Sequence, residues 1–164
     1  MMAAMDDPAP LRLVAIDALN WRDTLTVRVA DDQLRFVAGH QPVALVVLAK
    51  AYVRPGGLAW EPLAVVRGDR VVGVLALAHA PTHSELLHLA VDASQQGRGV
   101  GTAAVALVVA HVEATRPACG EVRLTVHPDN ERAQRLYRRA GFRPTGEERD
   151  GEPVWAKQIT RPTV

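Results

Sequence analysis

The sequence predicts a single α+β domain, in which strands and helices share one core. Three observations lead to this prediction. The 164 residues suit one ordinary domain, 48% of them are hydrophobic, and their apolar segments mix a hairpin with strand–helix units. Such an order favours α+β over a doubly wound parallel sheet. We expect the domain to span residues 11–160, after a flexible N-terminus over residues 1–10.

The first half is predicted to hold a strand, a group of helices and a hairpin. Asn20 suits the cap of a short helix, and Pro42 suits the start of a longer one. The pair Gly68-Asp69 is a strong signal for a hairpin turn between two apolar runs. The predicted elements are a strand at 11–16, a short helix from 21, helices at 33–39 and 42–52, and strands at 63–67 and 70–78.

The second half alternates strands with helices and ends in a strand pair. Pro117 follows the end of the first helix, and Gly141 suits the C-terminal stop of the second. Asp129 or Asn130 is suited to cap that second helix. The predicted elements are a strand at 85–91, a helix at 102–115, a strand at 121–126, a helix ending at 139, and strands at 142–147 and 153–159.

Charge and cysteine content exclude several classes of partner. The formal net charge of +1 gives no basic field for nucleic acid, so we expect no nucleic-acid partner. No apolar run approaches the roughly 18–20 residues that cross a bilayer, so we expect no membrane partner. One cysteine, Cys119, and no recognisable signal peptide together predict a cytoplasmic location. The spacing of His and Cys suggests no metal site.

The most informative segment is the glycine-rich stretch over residues 96–102, between a strand and a helix. Its glycines let the backbone approach a ligand, and N–H groups at a helix N-terminus bind anions, so we expect a phosphate group there. A P-loop is excluded because Gly101, not lysine, precedes Thr102. The dinucleotide fingerprint is formally met from Gly99, but the expected acidic residue and parallel-strand context are missing.

Two motifs resemble those of the GCN5-related N-acetyltransferase (GNAT) family. Residues 96–101, QGRGVG, match the acetyl-CoA loop [QR]-x-x-G-x-[GA]. Residues 130–142 match the second signature, N-x-x-A-x-x-L-Y-x-x-x-G-F, at every defined position. Residues 21–52 are more weakly similar to the bacterial spermine/spermidine (diamine) acetyltransferase branch. The resemblance implies a mixed, mostly antiparallel central sheet flanked by helices.

The resemblance also implies acetyl-CoA as cosubstrate, without a metal. The pyrophosphate would be held by N–H groups of the glycine-rich segment, with the Arg98 side chain as a further contact, and the pantetheine arm would run along the preceding strand. Asn130 would contact the cofactor or serve only as a helix cap. The expected cofactor-binding residues are Leu89, Ala90, Val91, Gln96, Gly97, Arg98, Gly99, Val100, Gly101, Thr102, Asn130, Ala133 and Tyr137.

Acetyl transfer to an amine needs a base for the amine and an acid for the leaving thiolate. Tyr137 matches the signature tyrosine that serves as the acid, and Glu85 falls where several family members carry a general base. His88 is the competing base, and a water relay is a further alternative. Strand alternation predicts one face with Glu85, Leu87, Leu89 and Val91, and the other with Leu86, His88 and Ala90.

The expected acceptor is a primary amine of a small molecule. Acidic residues at Asp31, Asp32 and Glu61 would attract a polyamine, or are surface charges only. A protein N-terminus and an antibiotic remain alternative acceptors, and a non-catalytic acyl-CoA-binding module is the alternative from another class. A homodimer is compatible with the resemblance.

Overall fold

The computed structural model describes residues 9–163. The flexible stretch expected over residues 1–10 therefore lies almost entirely outside the described residues. The elements are β1 (Leu11–Ala15), α1 (Trp21–Thr24), α2 (Asp31–Val37), α3 (Val43–Val53), β2 (Ala59–Arg67), β3 (Arg70–His79), β4 (His83–Val91), α4 (Val100–Thr115), β5 (Glu121–Thr125), α5 (Glu131–Arg139), β6 (Arg143–Arg149) and β7 (Glu152–Gln158).

The strands form one seven-stranded sheet in the order β1-β2-β3-β4-β5-β7-β6. Every neighbouring pair is antiparallel except β4 and β5, which run parallel. A parallel pair needs a crossover connection, and α4 provides it between these two strands. The predicted α+β class with a mixed, mostly antiparallel sheet is confirmed.

Helices cover both faces of the sheet because alternate residues of the central strands point to opposite sides. On one face, Leu63 and Val65 of β2 belong to an apolar cluster that includes Val105 and Val108 of α4. On the opposite face, residues such as Ala64 belong to a second cluster, which α2, α3 and the segment between α1 and α2 complete. Both clusters are buried, so the near-continuous apolar sequences of β2 and β3 reflect two covered faces.

The element boundaries differ from the predicted ones by a few residues. β2 begins at Ala59 rather than at 63, since Trp60 and Glu61 already pair with β3. α4 begins at Val100 rather than at 102, because Gly99 takes a left-handed conformation (φ 75°) at the helix cap. Asn20 precedes α1 as expected, but its side chain bonds to the backbone of Ala15 and Asp17 and makes no cap bond to the helix.

Two irregularities of β4 determine where a ligand fits. Its parallel pairing with β5 covers three residue pairs and ends at Glu85 opposite Arg123, so over residues 9–163 the two strands diverge beyond that point. The pairing with β3 shifts register between Val74 and Ala76, where His88 has a φ of 55°. The second half of β4 therefore has a free edge and a β-bulge.

No helix within residues 9–163 is both long enough and apolar enough to span a bilayer.

Candidate active site

A cleft of about 460 Å³ opens beside the free edge of β4. Its walls come from β4, the glycine-rich segment, the first turn of α4, one face of α5 and the inner side of α2. The lining residues are Val29, Gln33, Phe36, Val37, Leu89, Ala90, Val91, Gln96, Gly97, Gly99, Val100, Gly101, Thr102, Asn130, Arg132, Ala133, Arg135, Leu136, Tyr137 and Arg139.

The glycine-rich segment forms one end of this cleft. Gly97 and Gly99 both have a φ of 75°, a conformation that side-chain-bearing residues rarely adopt. At Gly101 a Cβ atom would lie 2.9 Å from Cδ1 of Leu136 on α5, so the glycine lets this side chain pack closely against the start of α4. The first N–H groups of a helix have no partner within it, so the start of α4 offers donors and a positive dipole end to an anion in the cleft.

Positive side chains reach the cleft from α5 rather than from the glycine-rich segment. Arg98, an expected phosphate contact, is exposed and is absent from the cleft lining. Arg132, Arg135 and Arg139 line the cleft instead. These three arginines were missed by the sequence analysis, although their spacing of three and four residues places them on one face of a helix. That face carries much of the positive charge available to a bound anion.

The side chain of Gln96 ties α2 to the glycine-rich segment. Its amide exchanges two hydrogen bonds with the amide of Gln33, at 2.9 and 2.8 Å. It also donates to the carbonyl of Val91 at 2.9 Å and accepts from Arg132 at 3.1 Å. One side chain thus joins α2, the end of β4 and α5 around the cleft.

The predicted division of β4 into two faces is wrong. Leu86 belongs to the cluster on the α4 side, but Ala90 belongs to the opposite cluster, although both were assigned to one face. Leu87 and Leu89 are separated in the same way. The cause is the bulge at His88, which inserts one extra residue and exchanges the faces of everything that follows.

Glu85 is held by charged neighbours outside the cleft lining. Its Oε2 atom accepts from Nη1 of Arg149 at 2.5 Å, and its Oε1 atom lies 3.4 Å from Nε2 of His83. The side chain is 13% exposed, and Arg123 stands opposite it on β5. Both carboxylate oxygens of Glu85 therefore contact side chains that lie outside the cleft lining.

His88 lies on the α2–α3 side of the bulge and contacts a lysine. Its Nδ1 atom is 2.7 Å from the carbonyl oxygen of Val37, so Nδ1 carries a hydrogen and donates it. Nε2 is 2.8 Å from Nζ of Lys50. Burial lowers the pKa of His88, with a further lowering from the Lys50 charge, and burial also lowers the pKa of Lys50. A neutral imidazole follows, with an unprotonated Nε2 that faces Nζ of Lys50.

Tyr137 lines the cleft from α5, at the opposite wall from α2. Its ring packs edge-on against Phe142, with the ring centroids 5.7 Å apart. Burial raises the pKa of Tyr137 to about 12, so its hydroxyl group keeps its proton throughout the neutral range. The hydroxyl makes no hydrogen bond with another residue in the part of the chain described, which leaves it available to a bound group.

Asn130 and Ala133 lie at the start of α5, and both line the cleft. The Oδ1 atom of Asn130 accepts from the backbone N–H of Ala133 at 3.2 Å, which makes Asn130 the N-cap of the helix. The same residue therefore fixes the start of α5 and faces the ligand space.

Glu61 lies away from the cleft, in a separate polar cluster. It accepts from Nε2 of His79 and from Nε2 of His111, each at 2.7 Å. Ser84 in turn bonds to Nδ1 of His79 at 2.8 Å. These contacts occupy the carboxylate and join β2, β3, β4 and α4. Across residues 9–163, no group of three or more His, Cys, Asp or Glu is arranged to hold a metal ion.

Comparison with known proteins agrees with this geometry. The model of the acetyltransferase (GNAT) family matches residues 24–142. No protein of curated function matches the chain. Among solved structures, one that is similar to this chain is an aminoglycoside acetyltransferase, AAC(6')-Ib, in complex with coenzyme A. The two sequences are 17% identical, the match covers 91% of this chain and 95% of the other, and the TM-score is 0.70.

Two further structures share the fold. The GNAT domain of PAT from S. lividans has 17% identity, covers 91% of this chain and 90% of its own, and gives a TM-score of 0.70. Spermidine N-acetyltransferase from Vibrio cholerae, in complex with CoA and spermine, has 15% identity, covers 91% of this chain and 94% of its own, and gives a TM-score of 0.65.

Proposed function

The chain belongs to the acetyltransferase (GNAT) family, and on this premise we propose that it transfers the acetyl group of acetyl-CoA to a primary amine of a small molecule. The observation that carries the proposal is the cleft itself. At one end it offers helix N–H groups and arginines to a diphosphate, and along its length it offers the free edge of β4 to an extended arm. The protonated hydroxyl of Tyr137 stands on the facing wall.

In this proposal the amine attacks the thioester directly. The backbone of residues 89–91 lies beside the cleft and supplies N–H groups for the pantetheine arm and for the carbonyl oxygen, where negative charge develops. The amine must lose a proton as its bond to carbon forms, and the thiolate must be stabilised as the carbon–sulfur bond breaks. Tyr137 donates a hydrogen bond to that sulfur.

We assign the role of base to His88 in preference to Glu85, with a water molecule as relay if the amine does not reach the ring. The unprotonated Nε2 of His88 supports this choice, because burial lowers the pKa of the ring and a neutral imidazole accepts a proton at pH 7. The position of Glu85 argues against it, because Glu85 lies where β4 still pairs with β5, before the free edge, and its two oxygens contact Arg149 and His83.

The acceptor belongs to the class of small primary amines. Glu61, one of the carboxylates that favoured a polyamine, does not support that choice, because it is hydrogen-bonded to two histidines outside the cleft. Asp31 and Asp32 lie in the first turn of α2. Polyamines, aminoglycosides and peptide N-termini therefore all belong in an acceptor screen.

The test has two arms. Calorimetry should detect binding of CoA and acetyl-CoA, and a thiol-release assay should then identify an amine that accelerates CoA formation. Absence of heat with either form of the cofactor would overturn the proposal. Heat without turnover of any amine would instead favour a non-catalytic acyl-CoA-binding module.

A further inference from the structure

Lysine is rare in this chain, which has two lysines and seventeen arginines. The guanidinium of arginine stays protonated at any physiological pH, whereas a buried lysine can lose its proton and become a nucleophile. Lys157 lies on β7, and Lys50 lies on α3, half-buried against the sheet. Position 50 therefore carries an amine that can lose its proton, whereas most positive positions of the chain carry arginine, which keeps its charge.

The contacts of Lys50 pair this amine with a proton acceptor. A carbonyl oxygen can only accept, so the 2.7 Å contact with Val37 fixes the hydrogen of His88 on Nδ1. The lone pair of Nε2 then faces Nζ of Lys50 at 2.8 Å. Burial lowers the pKa of Lys50, which favours release of a proton. A nucleophile in hydrogen-bond contact with a base is the arrangement that activates amines for attack.

The pair also lies next to the cleft. Val37, which holds the His88 ring, lines the cleft, and so do Leu89 and Ala90, which follow His88 in β4. The amine of Lys50 therefore lies beside the β4 bulge at His88, and the residues that directly follow this bulge form part of the cleft wall. A thioester that lies along this part of β4 would have Lys50 as a neighbouring amine, on a flexible side chain.

We propose that Lys50 is a site of self-acetylation, at which Nζ takes the acetyl group from acetyl-CoA bound in the cleft of the same chain. This inference rests on the proposed function, because it uses the same cofactor and the same strand. It adds a covalent modification site to that function, with an amine of the protein in place of the external acceptor.

The reaction balances with the groups at hand. The ammonium of Lys50 first gives one proton to Nε2 of His88, and the neutral amine attacks the carbonyl carbon of the thioester. As the carbon–sulfur bond breaks, the new amide nitrogen loses its second proton to the leaving sulfur, directly or through water. The products are acetyl-lysine and CoA in its thiol form, and His88 returns its proton to solvent.

The experiment uses the whole protein with isotope-labelled acetyl-CoA and no added amine. Peptide mapping by mass spectrometry should find the label on Lys50 about tenfold or more faster than on Lys157, because proximity and the adjacent base favour one amine. The rate per molecule should not depend on protein concentration. Lys50→Arg should remove the fast label, and Lys157→Arg, the matched change at the other lysine, should retain it.

A second variant tests the role of the base. Asparagine tolerates positive φ better than most residues, so His88→Asn preserves the bulge and removes the imidazole. The label on Lys50 should then appear about 100-fold more slowly, the lower range of general-base effects. An unchanged rate in His88→Asn would overturn the base assignment on which the proposal depends.

Three outcomes separate this inference from the function on which it rests. Equal labelling of Lys50 and Lys157 would overturn self-acetylation and indicate background chemistry. Binding of CoA and turnover of an external amine, with Lys50 unmodified in the same preparation, would overturn self-acetylation alone. Absence of CoA binding by calorimetry would overturn both.

Discussion

The hydroxyl of Tyr137 is a strong hydrogen-bond donor but a weak acid. Its pKa of about 12 exceeds the value of about 8.5 for an ordinary thiol, so full proton transfer to a thiolate would cost about 5 kcal/mol. In the proposed reaction the hydroxyl would therefore stabilise the sulfur by donating a hydrogen bond while charge develops. Complete transfer becomes favourable only if burial also raises the pKa of the thiol.

We expect Tyr137→Phe to lower kcat about 100-fold, because the donor to the leaving sulfur is lost. The dissociation constant of CoA should change less than about twofold, since the phenyl ring keeps its packing against Phe142. Thiol release and calorimetry measure the two quantities. A variant with wild-type kcat would refute the donor role, and a parallel loss of affinity would indicate a packing role.

The choice between the two bases is tested by a pair of variants. We expect His88→Asn to lower kcat/KM about 100-fold and Glu85→Gln to lower it less than about threefold. The reason is that Glu85 is paired with Arg149, whereas Nε2 of His88 is unprotonated and faces Nζ of Lys50. A large loss in Glu85→Gln and a small one in His88→Asn would reverse the assignment.

The same assignment predicts a pH profile. Protonation of His88 removes the base, and burial lowers its pKa below the ordinary value of 6.5. The decrease of kcat/KM on the acid side should therefore have its midpoint below pH 6.5. From neutral pH upward, the titration of His88 should not affect activity. His88→Asn should lose this decrease on the acid side. A midpoint above pH 6.5 would contradict the direction of the shift.

At the scale of elements, motifs read from neighbouring residues could be predicted, and long-range contacts could not. The glycine-rich segment and the α5 signature each lie within one stretch of chain, so their positions at the cleft follow from local structure. The bulge at His88 depends on pairing with β3, which alternation within β4 does not reveal. The Lys50–His88 contact joins residues 38 positions apart, and nothing in either segment indicates the other.

The Gln33–Gln96 contact is another long-range feature, and from it we predict a role for α2 in cofactor binding. Gln33→Ala removes the two amide hydrogen bonds to Gln96, worth about 1 kcal/mol each, so the dissociation constant of CoA should rise by up to about 30-fold. The kcat value should change little, because Tyr137 and His88 are untouched. Gln158→Ala is the matched control, since that amide bonds to Glu121 rather than to a cleft residue. Equal effects of both variants would show that α2 plays no specific part.

For the molecule as a whole, the fold restricts the chemistry but leaves the acceptor open. The same architecture, at 17% and 15% identity, occurs in an aminoglycoside acetyltransferase and in a spermidine N-acetyltransferase. The cofactor motifs lie in the second half of the chain, whereas α2 and α3, which face the other side of β4, belong to the first half. We therefore expect acceptor identity to depend on the part of the sequence that carries the weaker motif.

Glu61 connects the sheet to α4 and should make stability depend on pH. It accepts from His79 on β3 and from His111 on α4, and the bond from His79 is the main cause that lowers its pKa from 4.5. A carboxylate with a lowered pKa stabilises the fold above its unfolded value, and this contribution is lost as the pH falls through the folded value.

We expect Glu61→Gln to lower the free energy of unfolding by about 1–3 kcal/mol near neutral pH, because the amide NH₂ group would face one of the two histidine N–H donors. The difference from the wild type should shrink below about pH 4.5, where the unfolded carboxyl takes up a proton. Denaturant unfolding, carried out near neutral pH and again below about pH 4.5, measures this difference in the free energy of unfolding. Glu113→Gln, an exposed change on α4, the helix that carries His111, should show no such dependence. A difference that does not change with pH would mean that Glu61 stabilises the fold through packing. A change in CoA affinity would mean that the Glu61–His79–His111 cluster affects the structure of the cleft.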